Sequence, residues 1–81
     1  MALDDATRAE IEKRAREMNL TLTRDHWEAL EAVLAYHREM GMTPTIRFLY
    51  RRIGKAKALD LFPTGMRMVA ALTGLEVPEG C

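Results

Sequence analysis

The sequence is poor in cysteine and has no long apolar stretch. Its only cysteine is Cys81, so no internal disulfide can form and the fold depends on packing. No uninterrupted apolar run exceeds five residues, Met68–Leu72 being one, whereas a membrane-spanning helix needs about 20. The first residues show no basic region followed by an apolar one, so no secretory signal is expected. These absences predict a cytoplasmic protein without membrane association.

The sequence also lacks an excess of charge of either sign. Lysine plus arginine and aspartate plus glutamate each number 12, so the formal net charge is zero. Any attraction to nucleic acid or to an anionic membrane would therefore have to come from a local patch. With 48% apolar and 30% charged residues, the composition is typical of a soluble globular domain rather than of a disordered chain.

The spacing of apolar residues is helical almost throughout and predicts an all-α fold, a small bundle of about five short helices with a helix-turn-helix-like portion. The expected helices run from Asp4 or Asp5 to about Met18, Arg24 to Met40, Pro44 to Ile53, Lys55 to Leu61, and Met66 to Thr73. Residues 1–74 would form one helical domain. Residues 75–81 would form a flexible C-terminal arm that carries Cys81, because Pro78 and Gly80 oppose a stable helix there.

Several residues have the properties of helix caps or core anchors. Thr23 and Thr43 are suitable N-caps for the second and third helices, and Pro44 after Thr43 suits a first helical position. Asn19 is a plausible end of the first helix, since asparagine tolerates the left-handed conformation. Trp27 is predicted to anchor the second helix in the core.

Cys81 is the leading candidate for chemistry. A thiol at the tip of an arm can reach into a pocket of another protein. Glu76, Glu79 and a carboxylate at the chain end are negative neighbours that disfavour the thiolate, so a thiol pKa at or above the ordinary ~8.5 is expected. Such a thiol would become nucleophilic, or hold a persulfide, when a partner supplies positive charge. The alternative is an exposed thiol without a role.

A basic run offers a second candidate site. It contains five cations and no acid: Arg47, Arg51, Arg52, Lys55 and Lys57. If the second and third helices formed a helix-turn-helix pair, Arg47 and Arg51 would lie one turn apart and could contact phosphates. The alternatives are a DNA-binding or regulatory module using this face and a merely solvated helix face. No asparagine or glutamine accompanies the arginines to read bases.

The histidines and methionines suggest no cofactor. His26 and His37 are eleven residues apart on one helix, about 16 Å along its axis, so they cannot bind one metal ion together. The methionines either fill gaps in a small core or form an adaptable docking surface. Without a Gly-rich phosphate loop or a Ser/His/Asp set, no metal, no cofactor and no stand-alone catalytic centre are expected.

Four segments in this order resemble the DsrC/TusE family of sulfur-relay proteins, over residues 22–81. They are Leu22-Thr23-Arg24-Asp25-His26-Trp27-Glu28, Thr43-Pro44-Thr45-Ile46-Arg47, Leu61-Phe62-Pro63, and Gly74-Leu75-Glu76-Val77-Pro78-Glu79-Gly80-Cys81. The resemblance implies a helical bundle with a mobile C-terminal arm whose near-terminal cysteine accepts sulfur as a persulfide and delivers it to a partner. The family's N-terminal β-hairpin has no counterpart in this sequence.

By this resemblance Cys81 is the sulfur-carrying residue of a sulfurtransferase-type carrier. Arg47 and Arg67 match basic positions of the family and, with Arg51 on the same basic face, would bind a partner or stabilise the thiolate. The second arm cysteine of the DsrC branch falls at about Ala70, which implies a one-cysteine carrier.

The implied partners are a protein sulfur donor and a protein sulfur acceptor, from a sulfurtransferase or a sulfite-reductase-type complex. Nucleic acid ranks behind them. The protein would be a monomer, or a dimer linked by a disulfide through Cys81. A scaffold that keeps the fold but has lost sulfur transfer is a third hypothesis.

Overall fold

The computed structural model describes residues 3–78. Its helices are α1 (Asp5–Glu17), α2 (Arg24–Met40), α3 (Ile46–Ile53), α4 (Lys55–Leu61) and α5 (Met66–Thr73). The predicted all-α bundle of about five short helices is therefore confirmed, and no strand forms among the described residues. The bounds of α2, α4 and α5 are those expected from the sequence.

Local signals define both ends of α1. The backbone amide of Thr7 donates a hydrogen bond of 2.7 Å to Asp4 Oδ1, so Asp4 is the N-cap. This hydrogen bond to the carboxylate lowers the pKa of Asp4 below its ordinary value. Past the other end, Asn19 has φ of 56° and is the only non-glycine residue in the left-handed region within residues 3–78. The prediction that Asn19 ends the helix in this conformation is confirmed.

The core lies where α1 packs on α5, α2 packs on α3 and α5, and α3 packs on α4. Phe62 is fully buried, although it stands just beyond α4. Each helix contributes a small number of apolar side chains, and together they form one cluster: Ile11, Ala15, Ala29, Leu30, Val33, Leu49, Ala58, Leu61, Phe62, Met66, Val69 and Leu72.

A buried histidine joins the start of α2 to the end of α4. His26 is 6% exposed. Its Nδ1 lies 3.1 Å from the Thr23 backbone nitrogen, which donates to it and completes a capping box. This assigns the ring proton to Nε2, which donates to the Leu61 carbonyl oxygen at 3.2 Å. The ring also meets Phe62 edge-on, with 5.4 Å between centroids. His26 therefore connects two parts of the chain that are 35 residues apart.

The prediction that Trp27 anchors the core holds only in part, because the side chain packs against the core cluster but is only partly buried. The buried positions of α2 include His26, Ala29, Leu30 and Val33, and Trp27 lies at the edge of that stripe. Its indole is only partly buried and packs against the Arg8 guanidinium, whose carbon lies 4.3 Å from the ring centroid. The ring thus joins α1 to α2 at the surface.

The predicted start of α3 is also wrong, by two residues. Thr45, not Thr43, is the N-cap, and Ile46 is the first helical residue. Thr43 and Pro44 are both buried, so these side chains serve packing rather than capping.

The end of α5 is held by an arginine from α1. Arg14 Nη1 donates to the Leu72 carbonyl oxygen at 3.3 Å, and its guanidinium also pairs with Glu10 at 3.4 Å. Gly74 follows in the left-handed conformation with φ of 79°. A Cβ built at Gly74 would lie 3.2 Å from Arg14 Nη1. The turn after α5 therefore requires glycine for its backbone and for the close approach of Arg14.

We predict that His26→Ala lowers the free energy of unfolding by about 2–3 kcal/mol, because it leaves the buried Leu61 carbonyl and the Thr23 amide without partners. His37→Ala is the matched control on the same helix, since His37 is only partly buried; it should cost under about 1 kcal/mol. Urea unfolding followed by circular dichroism measures both. Equal losses in the two variants would contradict the assigned role of His26.

We also predict that Gly74→Ala costs more than Gly41→Ala. Both glycines are left-handed helix C-caps, with φ of 79° and 75°, but an added Cβ at Gly41 meets nothing within 4 Å. Gly41→Ala should therefore pay only the backbone cost of about 1–2 kcal/mol, whereas Gly74→Ala must also displace Arg14.

Thermal unfolding of both variants in the wild-type and Arg14→Ala backgrounds tests the explanation. Removing Arg14 should bring the cost of Gly74→Ala down to that of Gly41→Ala. If the difference between the two glycine variants persists without Arg14, the contact is not its cause.

Candidate functional site

The described part of the predicted arm folds back along α5. After Gly74, the Leu75 amide donates to Thr73 Oγ1 at 3.3 Å, and Leu75 packs against the core cluster. Val77 then lies in the same groove as Gly65 and Met66, at the start of α5. Because α5 spans eight residues, about 12 Å, the few residues after Gly74 cover most of its length in reverse. The left-handed turn at Gly74 sets this direction.

We call the space that Val77 enters the arm groove. It has a volume of about 280 Å³, and its walls come from α3, α4, α5 and the arm. The lining residues that matter here are Ile46, Tyr50, Leu59, Met66, Arg67 and Val77. Leu59 and Val77 remain 45% and 47% exposed, so the groove presents apolar surface that Val77 covers only in part.

Arg67 is the cation that lines the arm groove. It is exposed and lies near the first turn of α5, whose backbone amides add positive potential at that end of the helix. Lys55 stands close by, with its Nζ 5.7 Å from the centroid of the Tyr50 ring. The arm is therefore directed toward a cationic and partly apolar surface, although the described arm residue Glu76 is acidic.

The groove depends on contacts that the sequence analysis missed. Pro63 also lines the groove, and it follows Leu61 and Phe62, which His26 contacts. Arg14 holds the other end of α5. The capping box accounts only for the local contact of His26 with Thr23. No local pattern marks its contact with Leu61, or that of Arg14, whose partner is 58 residues away.

Cys81 and Glu79 lie outside the described residues, and so does the tip of the predicted arm. Their surroundings stay predictions. Ala70, where the second cysteine of the DsrC branch falls by resemblance, is a buried residue of α5. The one-cysteine interpretation likewise stays a prediction.

Arg47 and Arg51 line a second groove, which we call the corner groove because it lies where the chain passes from α2 to α3. Its volume is about 250 Å³. Its lining residues include Tyr36, Met42, Thr43, Pro44, Arg47, Phe48 and Arg51. Arg47 therefore does not share a groove with Arg67, although its neighbour Ile46 does.

The remaining cations of the basic run are directed elsewhere. Arg52 lines a third groove together with Glu28 and Glu31, and Lys57 Nζ pairs with Asp25 Oδ2 at 3.6 Å. Lys55 lies over Tyr50. The five cations do not form one continuous face, so the structure does not favour the DNA-binding alternative, which needs several phosphates contacted in register.

Within residues 3–78, no three His, Cys, Asp or Glu side chains are grouped so that they could hold a metal ion. None of the helices in that range combines the length and apolar character required to cross a bilayer.

Comparison with known proteins extends the similarity beyond the segments identified above. The family model described as DsrC like protein matches residues 2–81. Sulfurtransferase TusE of Buchnera aphidicola is 30% identical over 80 residues, which cover 86% of this chain and 70% of that protein. Sulfurtransferase TusE of Yersinia pestis is 31% identical over 77 residues, covering 83% and 71%. No solved structure matches.

The family model covers almost the whole chain, including α1, which lies before the segments that carry the sequence resemblance. The curated relatives are named sulfurtransferases, which supports a sulfur-relay role. The chain belongs to the DsrC-like protein family.

Proposed function

We propose that this protein is a sulfur carrier that accepts sulfur as a persulfide on Cys81 and passes it to a partner protein. The observation that carries the proposal is that the arm of a DsrC-like chain runs back to a groove lined by Arg67, with a thiol four residues beyond Val77. Four extended residues span at most about 14 Å. A segment of this length is therefore long enough for a terminal thiol to reach the groove that Val77 enters.

Both steps of the relay are sulfur transfers without net oxidation. The Cys81 thiolate attacks the outer sulfur of a donor persulfide, a bond forms between Cys81 Sγ and that sulfur, and the donor S–S bond breaks. The donor leaves as a thiolate, and the transferred sulfur keeps its proton. An acceptor thiolate then attacks the outer sulfur on Cys81 and releases the Cys81 thiolate.

Electrostatics explain why a partner or a groove is needed. Glu76 and Glu79 precede Cys81 in the sequence, and their negative charges disfavour the thiolate form of its side chain. Arg67 is the cation that the arm already approaches, so it is the first candidate to offset these acids. Arg47 and Arg51 lie in the corner groove and are better placed to contact a partner than to stabilise the thiolate.

We predict that wild-type protein incubated with a small-molecule persulfide gains the mass of one sulfur atom, and that Cys81→Ser does not. A reductant should remove the added sulfur, because it is held through an S–S bond. Intact-protein mass spectrometry measures the gain. The absence of any gain with several persulfide donors, or a gain that Cys81→Ser retains, would refute the assignment.

We further predict that Arg67→Glu slows alkylation of Cys81 at neutral pH by about threefold, since reversing one charge near a tethered thiol disfavours the thiolate in a solvent-screened setting. Arg52→Glu makes the same charge change in a groove that contains Glu28 and Glu31, and it should leave the rate near that of the wild type. High salt should reduce the effect of Arg67→Glu. Equal slowing by the two variants would mean that net charge, not the arm groove, controls the thiol.

A further inference from the structure

We propose that the corner groove docks an acidic segment of a partner protein, one that carries an apolar side chain between its carboxylates. This inference rests on the proposed function, because sulfur transfer is what requires a partner protein to bind. The corner groove and the arm groove have no lining residue in common, although α3 contributes residues to both.

The charges of the corner groove are of one sign. Arg47 and Arg51 are exposed and lie one helical turn apart on α3, about 6 Å along the axis. None of the described residues that line the groove is acidic. Two guanidinium groups at this spacing can each take a carboxylate in a paired geometry.

The floor of the groove is apolar. The Tyr36 and Phe48 rings pack against each other at 4.9 Å between centroids, and the buried Pro44 lies beside them. Met42 is 55% exposed at the rim, and Met40, across Gly41, is 56% exposed. Flexible methionine side chains repack around varied apolar partners, so this rim suits an inserted aliphatic or aromatic side chain.

Two polar features of the groove lack partners within the described chain. The side chain of the N-cap Thr45 makes no capping hydrogen bond, so it leaves the first amides of α3 uncapped. Thr43, which lines the groove, is 5% exposed, and its Oγ1 has no hydrogen-bond partner. The Thr43 hydroxyl is too deeply buried for a ligand to reach, but the uncapped amides of α3 are donors from which a ligand carboxylate would accept at the helix N-terminus.

An acidic protein segment fits these features better than nucleic acid does. The cationic surface here is limited to two arginines, because Arg52 lies with Glu28 and Glu31 and Lys57 is paired with Asp25. Duplex binding depends on many phosphate contacts. The Tyr36 and Phe48 rings are tilted by 56° to each other, so they do not form a flat platform on which successive bases could stack.

Fluorescence anisotropy with the full chain tests the proposal. The probe is a short labelled peptide of alternating glutamate and leucine, and its control has glutamine in place of glutamate. We expect Arg47→Glu and Arg51→Glu each to weaken binding of the acidic peptide by about tenfold, which is about 1.4 kcal/mol. Arg52→Glu, on the same helix but in the third groove, should change it little, and the glutamine peptide should bind weakly.

Several results would overturn the proposal. One is that the wild type binds the glutamate and glutamine peptides equally well, and another is that Arg52→Glu weakens binding of the glutamate peptide as much as Arg51→Glu does. A DNA duplex that binds more tightly than the peptide, and in a way that depends on Arg51, would also overturn it. If the wild type self-associates and Arg51→Glu does not, the occupant of the corner groove is a second copy of this chain and not a partner protein. Sulfur loading of Cys81 is measured on the same wild-type sample. Loading without peptide binding refutes only the docking proposal, and binding without loading refutes only the carrier function.

Discussion

The contact between His26 and the Leu61 carbonyl is the interaction on which the rest of this small bundle depends. No disulfide can stabilise the chain, since it has one cysteine, and the core is built from short helices that contribute few side chains each. His26 serves two backbone groups at once, the Thr23 amide that begins α2 and the carbonyl that ends α4. It thereby positions Phe62 at the centre of the core and Pro63 at the edge of the arm groove. A polar ring in this place specifies one arrangement of the two helices, because any other leaves buried groups unpaired.

The direction of the arm is set at a second place, the end of α5. Arg14 caps a carbonyl there, and Gly74 turns the chain back along the helix it has just left. The Arg14 side chain of α1 thus influences where the arm begins, although no residue of α1 lines the arm groove.

Positive charge is divided between two grooves of the described chain. Arg67 and Val77 share one groove, Arg47 and Arg51 share another, Arg52 lies with two glutamates, and Lys57 is paired with Asp25. A relay protein needs a site that tunes a thiol and a surface that a partner recognises, and the two have different requirements for burial and for apolar contact. Their separation over two faces of α3 lets each vary without changing the other.

Helical period, cap chemistry and glycine positions were enough to predict the all-α bundle, the ends of α2, α4 and α5, and the left-handed Asn19, because all of these are local properties of the chain. The resemblance of four segments was enough to predict the family, and those segments proved to include the contact of His26 with Leu61. The tertiary structure alone decided that His26 rather than Trp27 enters the core and that Thr43 is buried instead of capping α3. It also decided that Arg47 and Arg67 lie in different grooves and that Arg14 holds the end of α5. Each of these depends on contacts between residues that are far apart in the sequence. Such contacts produce no local sequence pattern, so they cannot be predicted from helical period or cap residues.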